Sequence, residues 1–500
     1  SKHTVNIKRK TRLQIMFSYV IGKNVGRLLC VSQKRKLSTE VSSFGNITNE
    51  KGKKYKPRFR FPTSYRRSGS VYVHWPYCRR RCSYCNFVKF IPRPGDEWTL
   101  ENNTIEDAMV QEVKTQLLQS HINNVSSVFF GGGTPTLARP QLVEKILVHP
   151  VCQLKKASQI VIAGSKGQQK ILRLKNKSQL MGYAASISLQ AQALDDNSLK
   201  LLNRDHAVNE SLECLNLARF LFPGKVSIDL IFGRPKQTVC GWEKELEEAM
   251  NICDNHISLY QLTVERGTEL HRQIKSGNLT LPDEEMMADM YELAVTVLEA
   301  EGLRRYEVSN FARNYSAQSI HNKSYWEGSQ YVGVGPGAHG RILPITCKPF
   351  IHEINSNKSI NGRIRYNHRG NNKEDKLSPH FSYNDDIIRE ARINAADPLS
   401  WLMEVQKKGT GVRKSIQQTH LDIMSEFLTS GLRMTEGISA KRWAIFSPNK
   451  STVDIFKSAS WLEENNLIKI SSDSLKATKK GLNVLDSILP HLINCLKDHY

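Results

Sequence analysis

The chain has 500 residues, 39% hydrophobic and 24% charged, the composition of a globular protein with room for one large and one smaller domain. No run of eighteen or more apolar residues occurs, so no membrane span is expected, which leaves room for peripheral membrane contact alone. The net charge of +23 suggests a nucleic-acid partner until it is located: residues 1–70 hold eighteen Lys and Arg against Glu40 and Glu50, a balance of +16, which leaves +7 for the rest. The body of the chain is therefore not expected to bind nucleic acid.

No acidic residue precedes Glu40, and Met16–Ser43 mixes Arg, Lys, Ser and apolar residues at roughly helical spacing. Two readings fit: a basic tail without an address, or a mitochondrial targeting peptide. The second places residues 1–43 in the targeting peptide, residues 44–69 in a basic linker and the protein in the mitochondrial matrix. Seven of the ten cysteines sit singly along the chain, with no spacing that implies a disulfide framework, as in a reducing compartment.

From Ser70 the pattern alternates strand and helix. Val71–His74 predicts a strand, Glu106–Ser120 an amphipathic helix, and Ser127–Phe130 a short strand that stops at Gly131-Gly132-Gly133. Strands follow at Gln159–Ala163, Ala185–Leu189, Val226–Phe232 and His256–Leu262, with helices at Gly241–Cys253 and Asp283–Glu301. Such alternation predicts parallel βα units, and hence an α/β fold built on a partial (β/α) barrel over residues 70–343. The active site of such a barrel lies at the C-terminal ends of its strands. Pro344–Asn384 is rich in Asn, Lys, Ser and Arg with little periodicity, so residues 344–398 read as an insert or linker. Helices return at Thr419–Leu432, Thr452–Asn465 and Lys479–Lys497, with a hairpin at Leu467–Ile470 and Leu475–Thr478, a small α+β, winged-helix-like domain over residues 399–500.

The chemistry concentrates in Cys78, Cys82 and Cys85, in C-x3-C-x2-C spacing just after the first strand. Three thiolates hold three irons of a cubane iron–sulfur cluster and leave the fourth iron open to a small ligand. A structural zinc site wants four closed ligands, and no partnering CxxC or HxxxH pair is present. Arg79, Arg80 and Arg81 either favour the thiolates or form a solvated face of the loop.

The segment Tyr72–Phe87 (YVHWPYCRRRCSYCNF) resembles the cluster loop of the radical S-adenosylmethionine (SAM) superfamily. The resemblance extends through GGGTPT at Gly131–Thr136, VSIDLIFGRPKQ from Val226, SLYQLTVERGTEL from Ser258, YEVSNFA at Tyr306–Ala312, HNKSYW at His321–Trp326 and VGVGPGAHG at Val332–Gly340. It is closest to HemW and its animal mitochondrial relatives, beside HemN-type coproporphyrinogen dehydrogenase, and the C-terminal region resembles the matching accessory domain. The resemblance implies that Cys78, Cys82 and Cys85 ligate a [4Fe-4S] cluster. It implies SAM contacts at Tyr72, Tyr84, Gly132, Gly133, Thr134, Gln192, Arg204 and Asp229, and haem contact at His321. Each polar position has a plainer reading: a salt bridge or helix cap for Arg204 and Asp229, a turn cap for His321, core for Trp326. Where the family carries a Glu-Ala-Asn-Pro-like motif whose glutamate contacts SAM, this chain has Ala163-Gly164-Ser165, and no residue is carried onto that glutamate.

HemN-type dehydrogenases place a fourth cysteine two residues after the third; here that position is Phe87, as in HemW. The resemblance thus implies a mitochondrial haem chaperone that binds haem, a cubane cluster and SAM, takes electrons from a donor and passes haem to acceptor haemoproteins. The alternative is a radical SAM oxidoreductase acting on a porphyrinogen; a third reading is a nucleic-acid modifier, which the location of the charge disfavours.

Overall fold

A computed structural model describes residues 61–92, 103–148, 159–164, 185–344 and 389–500. The expected targeting peptide, most of the expected insert at Pro344–Asn384 and the stretch after Gly164 that departs from the family motif lie outside the described residues.

The strands predicted from alternation are present, Val226–Phe232 with the predicted bounds and the others longer or shorter at an end: Ser68–Trp75 (β1), Asn124–Gly132 (β2), Gln159–Gly164 (β3), Ala185–Gln192 (β4), Val226–Phe232 (β5) and His256–Gln261 (β6). Arg304–Glu307 (β7), Asn310–Ala312 (β8), Gln330–Val334 (β9), His339–Ile342 (β10), Glu390–Asn394 (β11) and Val412–Gln417 (β12) complete a twelve-stranded sheet ordered β12-β11-β10-β9-β1-β2-β3-β4-β5-β6-β8-β7. The run from β9 through β6 is parallel throughout, and antiparallel strands finish both edges. This is the α/β partial barrel expected, extended by β11 and β12. The expected boundary between residues 398 and 399 falls between β11 and β12, which pair with each other in the large sheet.

Strands covered on both faces usually read as unbroken apolar runs. Here the face toward the helices is uniformly apolar and the other is mixed. Val71, Val73, Val128, Phe130, Ile160, Ile162, Ile187, Leu189, Ile228, Leu230, Ile257 and Leu259 form one core with Val113, Leu215, Trp242 and Tyr291 of the surrounding helices. The alternate positions on the same strands carry Ser127, Gln159, Ser188, Asp229, His256 and Ser258, all buried and polar. The period-two alternation of these strands therefore marks a polar barrel interior, not a solvent face.

Two buried carboxylates lock the edge extension in place. Glu112, on the helix Asn103–Ser120, accepts from Gly335 N (2.8 Å), Trp401 Nε1 (2.8 Å), Asn394 Nδ2 (3.0 Å), Gly411 N (2.6 Å) and Thr410 Oγ1 (3.3 Å). Burial pushes its carboxyl up to about 7 against the pull of these donors. Glu426, on the helix His420–Gly431, takes Arg341 of β10 at 2.9 Å and Arg389 at 2.8 Å, tying the barrel to the C-terminal domain.

That domain contains the expected hairpin, Ile468–Ile470 (β14) against Ser474–Ala477 (β15), joined by Ile438–Ser439 (β13) in an antiparallel three-stranded sheet. The single helices expected at Thr452–Asn465 and Lys479–Lys497 each break, the first around a 3-10 turn at Lys457–Ala459 and the second at Val484.

Candidate cofactor site and its cavity

The cysteine loop leaves the C-terminal end of β1 and is pinned from several sides. Cys78 N donates to Phe90 O (2.9 Å) and Phe90 N to Pro76 O (2.8 Å), so the loop closes on its own stem. Ser83 N donates to Leu202 O (3.0 Å), Leu270 N to Ser83 O (2.8 Å), and Asn203 Nδ2 to Arg81 O (2.8 Å). The loops after β4 and β6 therefore clasp it, and the thiols are placed by tertiary contacts as much as by their spacing.

The glycine turn after β2 lies against this loop. Gly133 N donates to Trp75 O (2.6 Å) and Thr134 N to Tyr77 O (2.9 Å), while Thr134 Oγ1 points at Cys78 Sγ (3.6 Å). A Cβ at Gly133 would sit 3.0 Å from Cys78 Sγ and 2.6 Å from Tyr77 O, and Gly132 has φ +102°, so this cradle admits only glycine at both positions.

Of the expected SAM positions, several converge here. Arg204 Nη1 donates to Cys82 Sγ (3.2 Å) and its Nη2 to Gln190 O (3.2 Å). Tyr84 OH donates to Gln192 Oε1 (3.1 Å), and Gln192 sits at φ +70°, a backbone conformation rare for a side chain of its size. Tyr72 lines the cavity below with its hydroxyl 3.1 Å from His74 Nδ1. Asp229 lies further along the barrel, where its Oδ2 accepts from Ser188 Oγ (2.9 Å). Arg79, Arg80 and Arg81 are exposed, which favours the solvated-face reading for them.

The donor set suits a cluster. Cys82 and Cys85 lie near enough to Cys78 for their charges to bear on it, and among the described residues no three His, Cys, Asp or Glu side chains gather closely enough to chelate a single ion. Burial pushes the Cys78 thiol up to about 11, offset by the Thr134 hydroxyl and the charge of Lys89.

From this rim a cavity of about 1290 Å³, its open mouth included, runs down the barrel to the N-terminal ends of the strands. Phe87 and Val88 line its upper end, Phe129 and Ser188 its wall, and His256, Ser319 and His321 its floor. The floor holds two Ser–His–Tyr sets. His321 places Nδ1 2.9 Å from Ser127 Oγ and Nε2 3.0 Å from Tyr325 OH, and its ring stacks on Phe129 at 4.9 Å. His256 places Nδ1 2.7 Å from Ser227 Oγ and Nε2 2.9 Å from Tyr306 OH. Burial holds both imidazoles neutral, pulling His321 down to about 3 and His256 down to about 4.

Sequence reasoning placed His321 and Tyr325 in one run, HNKSYW, and their i, i+4 spacing on the helix Ile320–Trp326 explains the bond between them. It missed the set built on His256. The available signal was the polar member of each alternating pair in VSIDLIF and HISLYQL, which stood out only as strand pattern. Trp326 lies away from the ring stack, under the guanidinium of Arg433 at 4.6 Å, with Tyr325, Tyr331 and Met434 as packing neighbours.

The fold and this site define a radical SAM barrel, and the comparisons agree: residues 72–249 match the Radical SAM superfamily and residues 418–484 the HemN C-terminal domain. The chain is 38% identical to "Radical S-adenosyl methionine domain-containing protein 1, mitochondrial" of Danio rerio, covering 85% of this chain and 86% of that protein. It is 28% identical to "Heme chaperone HemW" of Bacillus subtilis, covering 82% and 96%. Among solved structures, coproporphyrinogen III oxidase (HemN) of Escherichia coli superposes with a TM-score of 0.61 at 17% identity, over 87% and 91% of the two chains, a likeness of fold. The chain belongs to the radical SAM domain-containing protein 1 family, the HemW-like branch of that superfamily. Membership implies a [4Fe-4S] cluster and SAM, and the residues at the rim fit both.

Proposed function

We propose that this protein is a HemW-type haem chaperone of the mitochondrial matrix, which binds haem, carries a cubane cluster with SAM, takes electrons from a donor and transfers haem to acceptor haemoproteins. The name of the Bacillus subtilis relative and the mitochondrial names of the animal relatives support this reading. The observation that carries it is the single cavity joining the cysteine loop to His321 of the HNKSYW run.

In this reading Cys78, Cys82 and Cys85 hold the cluster, which supplies an electron and an open iron when bound. Gly132, Gly133 and Thr134 give the close backbone approach for the SAM amino group, Tyr84 and Gln192 form an adjoining polar pair, and Arg204 balances the thiolate of Cys82. Tyr72 and Asp229 extend the polar wall downward. Neutral His321 is the haem-iron ligand; to reach iron its Nε2 must release the Tyr325 hydroxyl, so Tyr325 acts as its latch. Titrating the protein with haem tests this. Binding spectra that are unchanged in His321→Ala would remove the site.

Oxidation of a porphyrinogen by a SAM-derived radical is the second reading, favoured by the way the cavity opens beside the cluster loop. Phe87 lines that opening at the position of the dehydrogenase cysteine and weighs against it. Release of 5′-deoxyadenosine that depends on added porphyrinogen would decide for it.

A further inference from the structure

Two cations beside the thiols lie outside the run of loop arginines. Arg204 serves Cys82, and the charge of Lys89 acts on Cys78. Lys89 follows the third cysteine on the returning arm of the loop, whose parallel bridge between Tyr77 and Phe90 sets it opposite Pro76, two residues before Cys78. It is 6% exposed, and its Nζ has no hydrogen-bond partner. An ammonium group buried without an anion is among the costliest arrangements a fold can hold, and lysine stems normally carry their charge out to water. No carboxylate among the described residues pairs with it.

We propose that Lys89 is the counter-cation of the iron–sulfur cluster, a positioning residue that favours the reduced state of the cluster through space. The inference rests on the cluster of the reading above and not on haem. A cubane held by three thiolates is negative overall and becomes more so on reduction, so a fixed cation in a low-dielectric wall favours the reduced form and raises the midpoint potential. The same ammonium is a burden on the protein without its cluster. These two effects have opposite signs for one substitution, which no packing role predicts. SAM also brings a carboxylate, but the charge of Lys89 falls on Cys78, one of the cluster's own ligands.

The test compares wild type, Lys89→Met and Lys89→Arg, each reconstituted anaerobically with iron and sulfide in the absence of SAM. Iron content reports loading separately from the role of Lys89, so a wild type that takes up no cluster overturns the cluster reading itself. In loaded Lys89→Met the midpoint potential shifts to a lower value, while Lys89→Arg stays with the wild type. Before loading, Lys89→Met melts no lower than the wild type. A loaded Lys89→Met with the wild-type potential overturns the proposal, as does unchanged potential with weakened SAM binding, which would assign the ammonium to the SAM carboxylate. Lys89→Gln carries the same measurement if methionine at this position prevents folding.

Discussion

The two ends of one cavity treat charge in opposite ways. At the rim, Cys78 and Cys82 are matched with the cations Lys89 and Arg204, an arrangement prepared for a negative group. At the floor, His256 and His321 are buried, neutral and held between hydroxyls. The difference teaches that the barrel is not a uniform tube: one end sets cations beside its thiols and the other holds its imidazoles neutral among hydroxyls. A neutral imidazole can act as a metal ligand and an imidazolium cannot, so suppression of charge at the floor is what a haem-binding histidine requires.

The largest way to break this contrast is at the rim. Cys82→Ser removes a cluster ligand, and iron content after reconstitution should fall to background while haem titration at the floor stays as in the wild type. Loss of haem binding in the same variant would show that the two ends are one site. Next in size is the lock on the edge extension of the sheet. Glu112→Ala strands buried donors on Gly335, Trp401, Asn394 and Gly411, and should lower unfolding free energy in urea by about 4 kcal/mol.

The pH dependence separates the groups by sign. His256 is held down to about 4 in the folded chain against an ordinary value of about 6.5. The unfolded chain therefore binds the extra proton first, and wild type should lose stability relative to His256→Asn as pH falls from 6.5 through 4, on the order of 3 kcal/mol in all. Glu112, pushed up to about 7, behaves oppositely. Its contribution is full below about 4.5 and is lost as pH rises through 7, so wild type should lose stability relative to Glu112→Gln across that window. Urea titrations at a series of pH values check both slopes. The smallest effect expected is at the latch: His321→Ala should weaken haem binding about tenfold, and Tyr325→Phe, which frees Nε2, should tighten it, a contrast of about 1.4 kcal/mol or more in each direction.

Much of this was legible in the sequence because its signals are local. The cysteine spacing, the glycine run after SVFF and the alternation in VYVH, QIVIA, ASISL, VSIDLIF and HISLYQL each concern neighbouring residues, and all reappear as the loop, the cradle and the parallel strands. What escaped has partners far apart in the chain. Tyr306 reaches His256 across fifty residues, and Glu112 meets Gly411 across 299. β11 and β12 escaped for another reason: Val412–Gln417 is almost wholly exposed, so its strand state comes from pairing with β11 and not from a buried face.

The sequence by itself determined the class of protein: three thiols in one loop, a glycine turn and βα alternation specify a cluster-bearing barrel, because ligand spacing and strand period are properties of the covalent chain. Tertiary structure alone decided where charge is tolerated. The loop's three arginines advertise themselves in the sequence yet face water, while Arg204 reaches the Cys82 thiol across 122 residues and Lys89 is buried on the returning arm of the loop. The field a charge exerts depends on the dielectric around it and on its distance through space, and both are set only when distant segments pack together.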